Sequence, residues 1–522
     1  MERTDRPPFA LASAAGLVAA GAGLATAELL ASSSRRLRSP VLDVGDRVID
    51  RVPAWLKNLA IDWFGTNDKT ALLVGIGATL AVYAALVGIA WLRHRRWIGI
   101  VGISAFGLLG AAAATQGRVD RPWWAATPSL VGALMAAGVL LGVEQLLGAS
   151  DRVEGDNDND ERSATEDRRR VVVGLTITAA MAAVAAVIGR RLQARFSAAG
   201  SREAVALPGP DRPLPAAPVA VAVDGAVPFY TPNSSFYRID TALTVPQVPA
   251  ESWRLRVHGM VERELEFTYD ELVSRRLVES DITLTCVSNE VGGSLVGNAR
   301  WLGARLDDLL DEAGVDAAAD QIVGRSVDGY TCGFPVAALD GRDALIAVAM
   351  NGEPLPLAHG FPARLIVPGL YGYVSATKWL TEIELTTFER FDQYWVPRGW
   401  DALAPIKTQS RIDTPHGLEK VPAAMVAVAG VAWAQTRGIE RVEVSVDDGP
   451  WSEASLAEEL VDTTWRQWRF EWDASSAGPG RHTLTVRATE RGGAIQTGER
   501  SEPMPNGASG RHQIVVLVEE PS

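Results

Sequence analysis

Five runs rich in alanine, leucine, valine and glycine, at residues 8–31, 71–92, 97–115, 125–147 and 171–188, dominate the first 190 residues of this 522-residue chain. A hydrocarbon core of about 30 Å takes about 20 residues of helix to cross, and each run is close to that length or beyond it. Lipid offers the backbone no hydrogen-bond partners, so such runs must be helical. Trp91, Trp97, Trp123 and Trp124 stand at their ends, where tryptophan settles at a membrane interface. An all-α transmembrane bundle of about five helices is therefore expected over residues 1–195. The connection 32–69 contains VLDVGDRVIDRVPAWLKNLAIDWFG, whose apolar residues recur at helical spacing between charges, the pattern of a helix lying on the membrane surface.

Arg168, Arg169 and Arg170 precede the last run, in DRRRVVVGLTITAAMAAVAAVIG. Arginines before a moderately apolar segment are similar to a twin-arginine export signal, and they also suit plain positive-inside anchoring. Both readings leave that end in the cytoplasm and everything after Arg190 outside. The first run has a second reading as a cleaved signal peptide, because Ala25-Thr26-Ala27 before Glu28 has the form of a cleavage site. Retention is the reading adopted.

Of six histidines, His94 alone is near a run, so the bundle lacks the facing histidine pairs that a b-type haem needs. Glu28 and Glu144 lie toward run ends, where snorkelling explains them better than a proton path. A net charge of −13 argues against a nucleic-acid partner. With two cysteines, Cys286 and Cys332, a disulfide framework and CxxC metal motifs are excluded.

Residues 196–227 are rich in proline and alanine (LPGPDRPLPAAP) and read as a stiff spacer. Over 228–397 strands (SWRLRVHG, ELEFTY, ALIAVAM, ARLIVP) mix with short helices (DELVSR with Asp270 as N-cap, ARLDDLLDEAGV), an α+β unit. Over 398–522 the alternating IERVEVSV, WRQWRFEW and HTLTVRAT, separated by turn signals, predict an Ig-like β-sandwich.

Four polar clusters punctuate the α+β unit: PNSSFYRID, TLTCVSNEVGG, SVDGYTCG and HGFPARLIVPGLYGYVSATKW. Each alone is an ordinary loop, and a lone cysteine is most often a small buried hydrophobe. Together, from about Pro232 to Trp395, they resemble the molybdopterin-binding domain of the sulfite oxidase family. GVAWAQTRGIERVEVSVDDGPW and PMPNGASG are similar to segments of that family's dimerisation domain, which implies a homodimer.

The resemblance implies a Mo-molybdopterin cofactor, with the Cys286 thiolate ligating molybdenum beside the dithiolene sulfurs of one pterin. A metal holds a coordinating thiol deprotonated, and a soft donor suits this centre. Gly292 and Gly293 are expected to let the backbone approach the cofactor. By position Asn233, Tyr237 and Arg238 match the segment contacting the pterin and the metal pocket, and Asp328 matches a polar cofactor contact. His359 and Arg364 match the residues holding the pterin and its phosphate, and Ser375, Thr377 and Lys378 lie in the segment closing over that phosphate. Cys286 and Arg238 are the expected catalytic residues. The family places arginines shortly after the ligating cysteine; here Glu290 and Val291 stand there, which argues against sulfite, and Tyr394 is an approximate substitute for the family's active-site tyrosine.

The function implied is a membrane-anchored oxidoreductase transferring an oxygen atom to or from a small extracytoplasmic substrate. Without a haem motif it would exchange electrons with a separate cytochrome or quinone. A sulfoxide reductase acting on methionine-sulfoxide-like substrates is one alternative, and a cofactor-free surface-binding protein using the Ig-like sandwich is another. Cys332 is expected to be buried in a strand.

Overall fold

The computed structural model describes residues 7–52, 63, 68–116, 121–150, 160–211, 213–219 and 221–520. These form two compact units, one of Met1–Ser197 with Thr241–Thr244 and one of Ala198–Asp240 with Val245–Ser522.

In the first unit, five helices among the described residues are long and apolar enough to cross a membrane: Phe9–Ala31, Thr70–His94, Arg96–Thr115, Trp123–Leu147 and Arg169–Ala204. The first (α1) is lined with small residues; Ala12, Ala15 and Ala19 are buried, and a Cβ on Gly16 would overlap the Ala84 carbonyl. Close backbone approach of this kind is how helices gain packing energy where no hydrophobic drive separates them from lipid. A helix α2 (Pro40–Arg51) covers the first part of the expected amphipathic segment; 53–62 and 64–67 lie outside the described residues. Glu28 and Glu144 differ from expectation. Glu28 accepts from Ser39 and, at 3.2 Å, from Gln193, while Glu144 accepts from Trp91 Nε1 at 3.0 Å. Both carboxylates have protein partners, and the Glu144 side chain is also 40% exposed.

The second unit begins with the segment read as a spacer, and here the structure corrects the reading. Asp211 N donates to Leu277 O at 2.9 Å, Arg202 reaches Glu353 at 2.8 Å, and Gln467 Nε2 donates to Val227 O at 2.6 Å. The proline-rich composition gives an extended chain, and its carbonyls and side chains are spent on the fold it borders.

Two sheets carry the α+β part. One has the order β2 (Leu265–Thr268), β1 (Arg254–Gly259), β10 (Leu380–Thr386), β5 (Gln321–Ser326), β6 (Thr331–Pro335), with β1 and β10 parallel. The other runs β3 (Leu277–Thr285), β4 (Val296–Arg305), β7 (Leu345–Met350), β8 (Glu353–Pro354), with β9 (Arg364–Ile366) also on β7. The helix Leu306–Ala313 ends at Gly314 (φ 71°), as its sequence signals predict. The helix Tyr269–Val273 is capped by Thr268, not Asp270, because Thr268 and Glu271 complete a reciprocal capping box.

The C-terminal part is a two-sheet sandwich. One sheet orders β11 (Gln409–Thr414), β13 (Met425–Trp433), β17 (Arg466–Asp473), β16 (Ser455–Leu456). The other orders β12 (Lys420–Val421), β19 (His512–Val518), β18 (Gly480–Glu490), β14 (Ile439–Val446), β15 (Ser452–Glu453). Val428 and Trp468 from the first and Val442, Leu484 and Val516 from the second meet in one core, the product of alternating inward residues.

The sandwich also covers the exposed edge of β3. Thr283 N donates to Thr463 O (3.0 Å), Trp465 N to Thr283 Oγ1 (2.8 Å) and Gln435 Nε2 to Thr283 O (3.0 Å). An edge strand is thereby fixed on both sides just before the chain reaches Cys286.

Candidate active site

Cys286 follows β3 at the tip of the β3–β4 hairpin. Its N–H donates to Leu295 O (2.9 Å), extending the ladder by one bond, and Asn289 Oδ1 receives Leu295 N (2.8 Å) to close the loop. The thiol is 8% exposed and lies 2.9 Å from Ser288 Oγ. Burial pushes its pKa up, while the Ser288 hydrogen bond and the Lys378 charge pull it back.

Gly292, at φ 79°, serves a different purpose from the one expected. A Cβ there would overlap the His512 ring, so this glycine admits a residue of the sandwich rather than a ligand. Glu290 is exposed, so its charge is screened by solvent.

The FYRID segment supplies an aromatic floor. Phe236 stacks on Tyr237 (centroids 5.4 Å apart) and meets the edges of His359 and Trp301 (5.7 and 5.9 Å). Tyr237 feels the charges of both Cys286 and Arg364, and burial carries its hydroxyl pKa far up. Asn233 donates to Met350 O (3.1 Å), accepts from Asn351 (2.9 Å), and its carbonyl faces His359 Nε2 (3.3 Å). Its side chain holds the loop; its backbone orients the histidine.

Gly360 draws the cations together. At φ 111° a Cβ would lie 3.0 Å from Lys378 Cα and 3.1 Å from Arg364 Cβ, a fit no other residue makes without strain. Arg364, on β9, is 5% exposed. Its Nη1 donates to His359 O (3.1 Å), its guanidinium lies 5.1 Å from the Trp301 ring centre, and its buried Nε has no partner among the described residues. Burial lowers its pKa to about 10, with Tyr237 opposing. Burial, then the charges of Arg364, Lys378 and Arg238, hold His359 down to about 4, so its ring is neutral. Lys378, held down to about 8 by burial, donates to Asp240 Oδ2 (2.9 Å) and Ile239 O (3.0 Å), and Arg238 Nε reaches the same Asp240 oxygen at 2.7 Å.

Other expected residues sit differently. Asp328 Oδ1 accepts from Tyr330 N (3.1 Å) in the β5–β6 turn. Ser375 donates to Leu370 O (3.0 Å) and Tyr371 O (3.1 Å), and Thr377 donates to Gly324 O (3.4 Å) beside Cys332. Both hydroxyls are fully buried in backbone contacts and are not brought to the cation cluster. Cys332 is buried in β6, as expected, with its pKa pushed up to about 11.

Three residues escaped the sequence reading. Tyr330 and Tyr371 both feel the Cys286 charge, and burial raises both, Tyr371 to about 12. Their signals were the aromatic positions in SVDGYTCG and PGLYGY. Asp240, two residues past Arg238 at the end of PNSSFYRID, carries no signal in the sequence that tells its role.

The family model of the oxidoreductase molybdopterin binding domain matches residues 242–395. An uncharacterized oxidoreductase, YuiH of Bacillus subtilis (strain 168), is 33% identical over 148 residues, 28% of this chain and 72% of its own length. The mitochondrial sulfite oxidase of Homo sapiens is 29% identical over 316 residues, 51% of this chain and 57% of its own. This chain belongs to the sulfite oxidase family of molybdopterin oxidoreductases. It spans little more than half the length of the human sulfite oxidase, 57%. The solved sulfane dehydrogenase SoxCD of Paracoccus pantotrophus has a TM-score of 0.49 and 21% identity to it, covering 57% of this chain and 85% of that one.

Mo-molybdopterin is the cofactor of this family's domain. The residues present fit it. A buried guanidinium with, among the described residues, a free Nε and no carboxylate against it is the donor set an anionic phosphate takes up.

Proposed function

We propose that the chain is a membrane-anchored molybdenum oxidoreductase that transfers an oxygen atom to or from a small extracytoplasmic substrate. In oxidation the oxygen comes from water, and two protons and two electrons leave; reduction is the reverse. When bound, the cofactor supplies the oxygen-atom transfer and the two-electron redox change. Cys286 serves as the one protein thiolate on molybdenum. Arg364, His359 and Lys378 hold the phosphate end of the pterin, Tyr237 and Asn233 line its approach, and Arg238 faces the substrate. Asp328 keeps Tyr330 in place; Ser375 and Thr377 act through the backbone they brace. The electrons pass to a separate cytochrome or quinone, and the Ig-like sandwich mediates a homodimer.

One observation carries this reading: Arg364, a buried cation without an anion, shares Tyr237 as neighbour with a buried cysteine at a hairpin tip. Membrane anchoring is supported by the five long apolar helices. The test is metal and pterin analysis of the purified full-length protein, followed by oxygen-transfer assays with sulfite and with uncharged sulfoxides. About one molybdenum and one pterin per chain, with turnover of either substrate, is the expected result. A purified, folded protein from molybdate-supplied cells that carries neither would refute the reading.

A further inference from the structure

We infer that Asp240, anchored by Lys378 on the cofactor side, ties up Arg238 and so sets the charge preference of the substrate pocket, favouring uncharged oxygen donors or acceptors over dianions. The inference rests on the proposal that Arg238 faces substrate.

The cations around His359 fall into two kinds. Arg364 has no carboxylate against it among the described residues and is free to answer an external anion. Arg238 and Lys378 are already answered. Both donate to the same Oδ2 of Asp240, at 2.7 and 2.9 Å, and the Asp240 side chain is 3% exposed while that of Arg238 is 38% exposed. Lys378 has a second acceptor in the Ile239 carbonyl at 3.0 Å.

A carboxylate buried to this degree is stable only while its cations stay on it. A dianion entering beside Arg238 must therefore draw the guanidinium away from Asp240, or bind against the Asp240 charge. Either loses most of what a free arginine would contribute. An uncharged oxygen donor meets the exposed edge of Arg238 as a hydrogen-bond donor and disturbs nothing. Glu290, the carboxylate nearest Cys286 in sequence, is exposed and makes no such pair with Arg238 or Lys378 among the described residues.

The experiment uses full-length, molybdenum-loaded protein and calorimetric titration with sulfate, a redox-inert dianion. Asp240→Asn should bind sulfate at least about 10-fold more tightly than the wild type, with a steep salt dependence. The ratio of kcat/KM for sulfite to that for an uncharged sulfoxide should rise in parallel, through KM. Asp240→Glu, which keeps the charge, should return sulfate affinity to near the wild-type value. Sulfate affinity unchanged in loaded Asp240→Asn would overturn the inference. Asp240→Ser serves should the Asn variant fail to load. If neither variant takes up molybdenum, the inference is also overturned, because the carboxylate is then needed to build the site. Failure of the functional proposal looks different: the wild type itself would carry neither molybdenum nor pterin, or would be loaded yet transfer no oxygen.

Discussion

Arg364 Nη1 lies 3.1 Å from the carbonyl of His359, five residues back on the same turn, and that carbonyl is the one hydrogen-bond acceptor the buried guanidinium finds among the described residues. On the proposed assignment to the cofactor phosphate, a cation so placed destabilises the protein that lacks cofactor and stabilises the protein that holds it.

Arg364→Met should therefore act in opposite directions on the two forms. Replacing an uncompensated buried charge by an apolar side chain of similar length should stabilise the cofactor-free protein by about 1–3 kcal/mol. The same change should abolish molybdopterin retention. Thermal melts of protein from molybdate-starved cells, beside pterin assays of protein from supplied cells, measure both. A variant that keeps its pterin would place the phosphate elsewhere.

His359 gives the site a pH signature. Its pKa falls from 6.5 to about 4 on folding, and that of His512 does likewise, each chiefly by burial. Between those values the unfolded chain binds protons that the native chain does not, so stability falls as pH drops from 6.5 toward 4. The loss approaches about 3 kcal/mol for each histidine. Above pH 6.5 neither contributes. His359→Gln should flatten part of this fall in cofactor-free protein, read from Tm against pH. A bound phosphate beside His359 would raise its pKa, so loaded protein should show a shallower fall than cofactor-free protein.

Thr283 ties the hairpin of Cys286 to the sandwich. Its hydroxyl donates to Asn298 Oδ1 (3.0 Å) and accepts from Trp465 N (2.8 Å), all of it buried. Thr283→Val keeps the shape and strands both partners, at a cost of about 2 kcal/mol or more. The expected result is a matching fall in denaturant midpoint together with weaker cofactor retention. Unchanged stability would mean that the sandwich does not brace the site.

The strands and the cation cluster were legible in the sequence for physical reasons. Alternation in IERVEVSV and the apolar run ALIAVAM reflect which faces are buried, and HGFPAR brings a glycine, a histidine and an arginine within one turn. What was not legible depended on partners far along the chain. Nothing near Gly292 announces that its hydrogen faces His512, and nothing near residues 196–227 announces that Asp211 N donates to Leu277 O at the start of β3. Charge is a related case. Glu290 is close to Cys286 in sequence but turned to solvent, whereas Asp240 is remote in sequence and sits between Arg238 and Lys378. Spacing fixes which residues share a turn; it does not fix which way the turn faces.

Molybdenum X-ray absorption of the wild type and of Cys286→Ser tests the central claim most directly. The account predicts molybdenum in both, with one sulfur neighbour fewer in the variant and, in its optical spectrum, the loss of a thiolate charge-transfer band. An identical sulfur count in the two proteins would contradict it, and Cys286 would then be no more than a buried thiol at the end of a strand.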